Sequence, residues 1–299
     1  MEQERILFVY NPRAGKGTLR NKLADVVDLM MQCNFEVMIV ATQNAGDAAA
    51  VVQNKGAECD RVICAGGDGT LHEVIHGLMA LPAEKRPGCG YIPTGTVNDF
   101  ANGIHLPSRV LPAAKVATGG RKAACDVGEM NGMYFSYVAA FGAFTSVSYE
   151  TPQATKNLFG KTAYILDGAV KLGKIKSYPV RVRTDQEEWE EDCILGMVTN
   201  AESVAGLRLY KRNTVSLDDG LFDGIFVKTP KNPIELNLVM GFLLNGKANP
   251  QVKVIHSSRV EILCDEEIAY TLDGENGGTH KEAVITNHKQ AITYFCGRK

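Results

Sequence analysis

The first hundred residues alternate between short apolar runs and longer stretches in which apolar residues recur every three or four positions. The runs have the length of buried strands and lie at residues 6–10, 37–40, 62–65 and 90–92. The third run leads into a helical pattern carried by Leu71, Val74, Ile75, Leu78 and Met79. Continuous apolar strands that alternate with helices predict a doubly wound, mostly parallel α/β sheet, whose ligands bind beyond the carboxyl ends of the strands.

Beyond Ala101 the pattern changes to short strands separated by turn residues, which predicts a mainly antiparallel β-sandwich. We therefore predict two domains: an α/β nucleotide-binding domain at residues 1–121 and a β-sandwich substrate domain at 122–299, whose last strand can pack back on the first domain. The strands are predicted at 125–129, 133–139, 178–183, 193–199, 221–227, 252–256, 260–263, 268–272, 283–285 and 291–295.

Two stretches in this second half have helical spacing. Residues 155–174 combine apolar residues with several lysines and predict a basic amphipathic helix, whereas residues 234–244 predict a more apolar helix. Packing against the sheet is the more frequent fate of an apolar helix face. The lysines favour contact of the first helix with anionic lipid.

Composition narrows the classes of partner. With 32 Lys and Arg against 34 Asp and Glu, the 299-residue chain gives no indication of a nucleic-acid partner. Its eight cysteines are scattered without a Cys-x-x-Cys pair, which predicts reduced, buried thiols. No apolar run is long enough to span a bilayer, so we expect a cytoplasmic protein.

Gly66-Gly67-Asp68-Gly69-Thr70 joins the third strand to its helix. Glycines let a phosphate approach the main chain, the helix N-terminus attracts anions, and a carboxylate can reach a magnesium ion or its water shell. A second basic turn, at residues 13–17, lacks the order of a P-loop because a glycine separates Lys16 from Thr18. An ordinary strand-to-helix turn is the alternative for either segment taken alone.

His72-Glu73-Val74-Ile75-His76 matches the H-E-x-x-H pattern of zinc proteases. No third ligand follows in the extended pattern, and the match begins in the first turn of a helix whose N-terminus is already assigned to phosphate. We interpret the match as accidental and the residues as a polar outer helix face.

Two acidic turns in the second half contain further candidate functional residues. Asp218-Asp219-Gly220 is typical of a hairpin turn, but its oxygen atoms also suit a hard cation. Asp273-Gly274-Glu275 follows a strand and places two carboxylates close together, where either one can act as a base in phosphoryl transfer.

Taken together, these segments resemble the diacylglycerol kinase catalytic-domain family in its soluble bacterial lipid-kinase branch. The resemblance extends over nearly the whole chain and is carried by residues 11–15, 66–70, 93–101, 219–221 and 272–275, in the family's order and spacing. The family usually has Asn where this chain has His72.

The resemblance implies ATP and Mg²⁺ as cofactors and assigns roles residue by residue. The implied nucleotide ligands are Asn11, Pro12, Arg13, Ala14, Gly15, Lys16, Thr42, Gly66, Gly67, Asp68, Gly69, Thr70, Leu71, His72, Glu73, Thr94, Gly95, Thr96 and Asn98. The implied ligands of a structural magnesium are Ser216, Asp219 and Leu221. The implied catalytic residues are Asp273, Glu275 and Asp68, with either Asp273 or Glu275 as the base.

These residues predict an ATP-dependent lipid kinase, with diacylglycerol as the default acceptor and phosphatidic acid as the product. The lipid acceptor implies peripheral contact with a membrane surface, and the resemblance also suggests a homodimer. One alternative is a soluble small-molecule kinase of the NAD kinase or phosphofructokinase type, which shares the Gly-Gly-Asp-Gly-Thr turn. Another is a non-catalytic nucleotide- or lipid-binding regulator, against which the retained carboxylates argue.

Overall fold

The structure is a computed structural model that describes residues 3–15, 17–96, 98–143, 176–201, 203–204, 207–208, 215–245 and 249–297. Lys16 and the helix predicted at 155–174 lie outside these residues. The chain divides into two compact units. Unit 1 comprises Met1–Tyr137, Leu217–Gly220 and His288–Lys299, and unit 2 comprises Val138–Ser216 and Leu221–Asn287.

The described strands are β1 (Glu4–Tyr10), β2 (Phe35–Ala41), β3 (Arg61–Gly66), β4 (Gly88–Pro93), β5 (Arg121–Met130), β6 (Met133–Phe135), β7 (Val138–Gly142), β8 (Tyr178–Thr184), β9 (Glu188–Thr199), β10 (Ser203–Val204), β11 (Leu207–Arg208), β12 (Phe222–Lys228), β13 (Val252–Ser257), β14 (Arg259–Leu272) and β15 (Glu275–Cys296). The described α-helices are α1 (Leu23–Gln32), α2 (Asp47–Lys55), α3 (Asp68–Met79), α4 (Asp99–Gly103), α5 (Val110–Gly119) and α6 (Pro233–Asn245).

Unit 1 is built on a parallel sheet. Strands β2, β1, β3 and β4 lie side by side in that order with parallel pairing. The end of β15, which belongs to unit 1 from His288 onward, pairs in parallel with β4 through Tyr294 and Cys89. Helices α1 and α5 pack on one face of this sheet in a buried cluster that includes Phe8 and Ile63. In β1, β3 and β4 apolar side chains are buried on both faces, so these strands read as continuous apolar runs, whereas Met38 and Ile39 of β2 are exposed.

Unit 2 is built from antiparallel strands. Its strand order is β13, β12, β9, β7, β14 and β15, and β8 pairs with both β9 and β14. The long strand β14 contains the stretch Asp265-Glu266-Glu267, where the pairing with β15 changes register between Leu263 and Ile268. The sequence predicts two strands here because the charged stretch interrupts the apolar pattern, whereas the structure has one irregular strand.

The α/β class is confirmed, as are the parallel pairing of the first four predicted strands and the predominantly antiparallel second half. The arrangement of that half as a sandwich stays a prediction. The helix predicted at 234–244 is present as α6. Helix α5 was missed because Pro112 argues against a helix, but the proline lies in the first turn, where it is tolerated.

The environment of the cysteines tests the expectation that their thiols are buried. Of the eight free cysteines six are buried, whereas Cys33 is exposed and Cys59 is half-buried, so the expectation of buried thiols is wrong for these two. Cys33 directly follows the last residue of α1, where a side chain can face solvent.

None of the helices in the described part of the chain combines the length and apolarity needed to cross a membrane.

Candidate active site

Three of the predicted nucleotide-binding loops meet at the carboxyl ends of β1, β3 and β4. The N–H of Asn11 donates to the carbonyl oxygen of Ala65 at 2.9 Å, and the N–H of Thr94 donates to that of Gly66 at 2.8 Å. These bonds continue the parallel ladder one step beyond the regular strands. The loops after β1 and β4 are therefore fixed on either side of the Gly66-to-Thr70 turn.

Glycines allow the three loops to pack main chain against main chain. A Cβ on Gly95 would lie 2.6 Å from the Cα of Gly67, and one on Gly15, which has φ +57°, would overlap the carbonyl oxygen of Thr94. No larger residue fits at these positions without moving a loop. This packing leaves a surface of bare peptide groups of the kind that binds phosphate.

A carboxylate and an amide lock the turn after β3 to the loop after β4. The N–H of Asn98 donates to Oδ2 of Asp68 at 2.9 Å. The Asn98 side chain bonds both main-chain groups of Gly95, accepting from its N–H at 3.0 Å and donating to its carbonyl oxygen at 2.9 Å. Asn98 itself has φ 55°, in the left-handed region that non-glycine residues rarely adopt. Such local strain is frequent where a structure holds functional groups in place.

Tyr91 supports this lock from inside the sheet. Its hydroxyl lies 3.3 Å from the carbonyl oxygen of Gly66 and 3.3 Å from Oδ1 of Asn98. Burial raises the pKa of the Tyr91 hydroxyl well above its ordinary value, so the group stays a hydrogen-bond donor at neutral pH. Sequence reasoning missed this residue, because a tyrosine in a buried strand carries no signal of a role in a neighbouring turn.

Asn11 orders the first loop with both ends of its amide. Oδ1 accepts from the N–H of Arg13 at 2.8 Å, and Nδ2 donates to Oγ1 of Thr70 at 3.3 Å. Thr42, at the end of β2, donates its N–H to the carbonyl oxygen of Tyr10 at 2.9 Å. Arg13 is exposed beside this loop, where its guanidinium can reach a bound anion.

The arrangement fits a nucleotide triphosphate. Helix α3 starts at Asp68 with Gly67 as its N-cap residue, and the N-terminus of a helix attracts anions. The hydroxyl oxygen of Thr94 is buried, and no residue in the described ranges forms a hydrogen bond with it. Buried polar atoms without a partner are costly, which fits a site completed by a ligand.

Two predicted nucleotide ligands have their side chains occupied elsewhere. The Leu71 side chain is buried in the core, which leaves only its main chain available to a ligand. The Glu73 carboxylate accepts a hydrogen bond from the N–H of Ala48 at 3.1 Å and so caps the start of α2.

His72 and His76 lie together on α3, with ring centroids 4.7 Å apart. Nε2 of His76 is 2.9 Å from the carbonyl oxygen of Tyr134. Throughout the described part of the chain, no group of three or more His, Cys, Asp or Glu side chains is placed to hold a metal. The structure therefore gives no support to a zinc-protease interpretation of the H-E-x-x-H match.

The two carboxylates of the turn between β14 and β15 differ sharply in environment. Asp273 is 5% exposed, has φ 54°, and forms two hydrogen bonds with Val138: its N–H donates at 2.9 Å, and its Oδ1 accepts at 3.1 Å. Glu275 is exposed. Asp273 is thus held by the neighbouring backbone, whereas the Glu275 side chain is open to an incoming group.

The turn before β12 is braced by a buried carboxylate, Asp126. Its Oδ2 accepts from the N–H of Gly220 and its Oδ1 from the N–H of Gln290, both at 2.7 Å. The N–H of Asp126 donates to the carbonyl oxygen of Leu217 at 2.7 Å, and Nε2 of Gln290 donates to that of Asp218 at 3.0 Å. Sequence reasoning missed Asp126, although a carboxylate inside the predicted strand 125–129 was an available signal.

The predicted ligands of the structural magnesium lie along this braced turn. Ser216 is half-buried, and Asp219 and Leu221 are exposed. One carboxylate and adjacent peptide oxygens form a donor set of the kind that hard cations prefer. The residues present therefore fit Mg²⁺ in their chemistry.

Comparisons with known proteins show the family to which the chain belongs. The family model of the diacylglycerol kinase catalytic domain matches residues 5–130. The diacylglycerol kinase of Staphylococcus carnosus is 36% identical over 298 residues, covering 98% of this chain and 95% of that protein. That of Staphylococcus saprophyticus is 34% identical over 296 residues, again covering 98% of this chain and 95% of that protein.

Solved structures give the same result. The crystal structure of a diacylglycerol kinase from Bacillus anthracis str. Sterne matches 99% of this chain and 98% of its own, with 25% identity and a TM-score of 0.78. A second crystal structure from that organism has 27% identity and a TM-score of 0.84, covering 99% of this chain and 96% of that one. Because relatives more than 30% identical span nearly the whole chain, this protein belongs to the diacylglycerol kinase catalytic-domain family and is a kinase.

Proposed function

We propose that this kinase transfers the γ-phosphoryl group of ATP to the hydroxyl of diacylglycerol, giving phosphatidic acid in a Mg²⁺-dependent reaction. The observation that carries the proposal is the convergence of three glycine-containing loops on the N-terminus of α3. The names of the curated relatives support the choice of acceptor.

In this proposal the main chain does most of the nucleotide binding. Peptide groups of residues 11–15 and of the first turn of α3 contact the phosphates, and the Thr94 hydroxyl gains the partner that it lacks among the described residues. Asp68 would hold the catalytic magnesium, which would supply positive charge beside the phosphates. Arg13 adds positive charge beside the first loop, and Lys16 adds a second positive charge to the same stretch of the sequence.

We assign the base to Glu275 and the positioning of its turn to Asp273. The assignment is supported by the exposure of Glu275 and by the two bonds that tie Asp273 to Val138. As the acceptor oxygen bonds to the γ-phosphorus, its proton moves to the Glu275 carboxylate. The bond from the γ-phosphorus to the bridging oxygen breaks, and ADP leaves.

Further parts of the proposal follow the resemblance to the family. Ser216, Asp219 and Leu221 bind a structural Mg²⁺ on the turn braced by Asp126. Residues 1–121 serve the nucleotide and residues 122–299 the lipid. The protein is cytoplasmic, contacts the membrane that holds its acceptor peripherally, and forms a homodimer, for which the mass in solution is the test.

The experiment is transfer of labelled phosphate from ATP to a panel of acceptors in mixed micelles, with and without a chelator of Mg²⁺. We expect label in phosphatidic acid, and we expect the chelator to abolish it. Label in NAD or in a sugar phosphate, with none in lipid, would favour the soluble small-molecule kinase. Absence of any transfer, together with intact ATP binding, would favour the non-catalytic regulator.

A further inference from the structure

Helix α6 of unit 2 presents an apolar face to solvent. Ile234 is 75% exposed and Leu238 is 38% exposed, and their spacing of four residues places them on one face of the helix. Further along the helix Val239 and Phe242 are buried, so the exposed apolar side chains belong to its first two turns. Helices at a protein surface usually turn charged residues outward, so this outward face requires an explanation.

The helix contains a single charged residue, and that residue is used in its cap. Glu235 accepts hydrogen bonds from the N–H of Lys231 at 2.6 Å and from Nδ2 of Asn232 at 2.8 Å. Oδ1 of Asn232 accepts from the N–H groups of Ile234 and Glu235, both at 3.0 Å. This reciprocal cap fixes the first turn of the helix. Ile234 is therefore held outward by an ordered helix end.

In the sequence, one lysine lies shortly before α6 and another shortly after it. Lys231 is exposed two residues before α6, and among the described residues it forms no ion pair. Lys247 follows two residues after the last residue of the helix in the sequence. An apolar face with flanking lysines and one acid engaged in a cap complements an anionic lipid surface.

We propose that α6 docks on an anionic bilayer surface, with Ile234 and Leu238 entering the boundary between head groups and acyl chains and Lys231 contacting lipid phosphates. The inference rests on the proposed function, because a diacylglycerol acceptor resides in such a bilayer. It goes further by assigning the contact to one helix face. A second copy of the chain is the competing occupant of that face.

The test is sedimentation of the full-length protein with vesicles of phosphatidylcholine and phosphatidylglycerol in equal amounts, without ATP or diacylglycerol. We expect the Ile234→Ser/Leu238→Ser double variant to bind at least about tenfold more weakly than wild type. Lys231→Gln should weaken binding to these vesicles and leave binding to pure phosphatidylcholine unchanged. The matched control is Met38→Ser, which removes an apolar side chain that is 43% exposed on β2 and should bind like wild type.

A second variant, which should bind vesicles at least as tightly as wild type, checks that weaker binding by the double variant is not caused by loss of the fold. Ile234→Trp should bind at least as tightly as wild type, and its emission should shift to shorter wavelength on addition of vesicles, because tryptophan favours the bilayer interface. The wild-type chain has a single tryptophan, Trp189, and its emission should stay unchanged.

Wild-type protein that fails to bind the vesicles, or a double variant that binds as well as wild type, would overturn the inference. So would a change from dimer to monomer in the double variant with vesicle binding retained, since the face would then be a contact between copies. A failure of the proposed function would be detected by a different measurement. In that case wild type fails to phosphorylate short-chain diacylglycerol in detergent micelles, whatever the result with vesicles.

Discussion

The N–H of Asn98 donates to Oδ2 of Asp68 at 2.9 Å, so the carboxylate that follows β3 also fixes the loop that follows β4. Asp68 thus has two separable duties in our account. Its oxygen accepts from the N–H of Asn98 and so positions a neighbouring loop, and in the proposed mechanism its charge would hold the catalytic magnesium. Two substitutions distinguish these duties.

Asp68→Asn keeps an oxygen that can accept from the Asn98 N–H but removes the charge. We expect kcat to fall by about a hundredfold or more, with KM for ATP and the melting temperature little changed. Asp68→Ala removes both the acceptor oxygen and the charge, so it should also raise KM for ATP. Steady-state kinetics at saturating Mg²⁺ check both variants, and wild-type kcat in Asp68→Asn would remove Asp68 from the chemistry.

Gly95→Ala tests the packing of bare peptide groups. The added Cβ would lie 2.6 Å from the Cα of Gly67 and 2.7 Å from Oδ1 of Asn98, so the loops must separate. We expect a loss of about 1–3 kcal/mol in the free energy of unfolding and at least a tenfold rise in KM for ATP.

The matched control for that substitution is Gly103→Ala, because no atom lies within 4 Å of a Cβ at that position in α4. It should leave KM unchanged and leave stability equal or slightly higher. Equal kinetics for the two variants would show that close packing at Gly95 does not shape the nucleotide site.

Asp126→Asn tests the brace of the turn before β12. The amide presents only one acceptor oxygen, so one of the N–H groups of Gly220 and Gln290 loses its partner and faces an NH₂ group instead. We expect a loss of about 1–3 kcal/mol in unfolding free energy and a higher Mg²⁺ concentration for half-maximal activity.

Asp25→Asn is the comparison for Asp126→Asn, since among the described residues the Asp25 carboxylate pairs only with Lys22, at 2.9 Å and exposed to solvent. Its loss should change stability by less than about 1 kcal/mol and leave the Mg²⁺ dependence as in wild type. An unaltered Mg²⁺ titration in Asp126→Asn would separate the brace from metal binding.

The sequence predicted the position of the strand-to-helix turns well because their signals are local. Glycines, a carboxylate and a strand-to-helix transition occur within a few residues of one another, as in the segment that ends β3 and begins α3. Parallel pairing then brings the loops together, since parallel strands end at one edge of a sheet.

What could not be predicted depends on distant partners. Asp126 contacts Gly220 and Gln290, which lie 94 and 164 residues away in the chain, so the carboxylate in a predicted strand is a local signal but its partners are not. Asp273 and Glu275 look equivalent in sequence, and only the structure shows that Asp273 is buried and bonded to Val138 whereas Glu275 is exposed. Likewise the Glu73 carboxylate caps the start of α2 because it lies within hydrogen-bond distance of the N–H of Ala48, a residue distant in sequence.

Asp185 in unit 2 provides a pH-dependent prediction. Partial burial acts to raise its pKa, but hydrogen bonds from Ser258, Ser257 and Arg259 outweigh that effect and lower the pKa below its ordinary value of 3.8. A carboxyl whose folded pKa is depressed stabilises the fold above its unfolded pKa. This contribution is lost as pH falls through the folded value.

Asp185→Asn should therefore be less stable than wild type near neutral pH, and the difference should shrink below about pH 4. Urea unfolding of both proteins across that range measures the difference. A difference that is independent of pH would mean that charge at Asp185 does not contribute to stability.

The most direct test of the proposed mechanism compares Glu275→Gln with wild type in two measurements on the same preparation, ATP affinity and the single-turnover rate of diacylglycerol phosphorylation. Because Glu275 is exposed, the substitution should leave the fold and ATP affinity unchanged. Loss of the base should slow the chemical step by about 10²–10⁴-fold. A variant that phosphorylates diacylglycerol at the wild-type rate would contradict the assignment of Glu275 as the base.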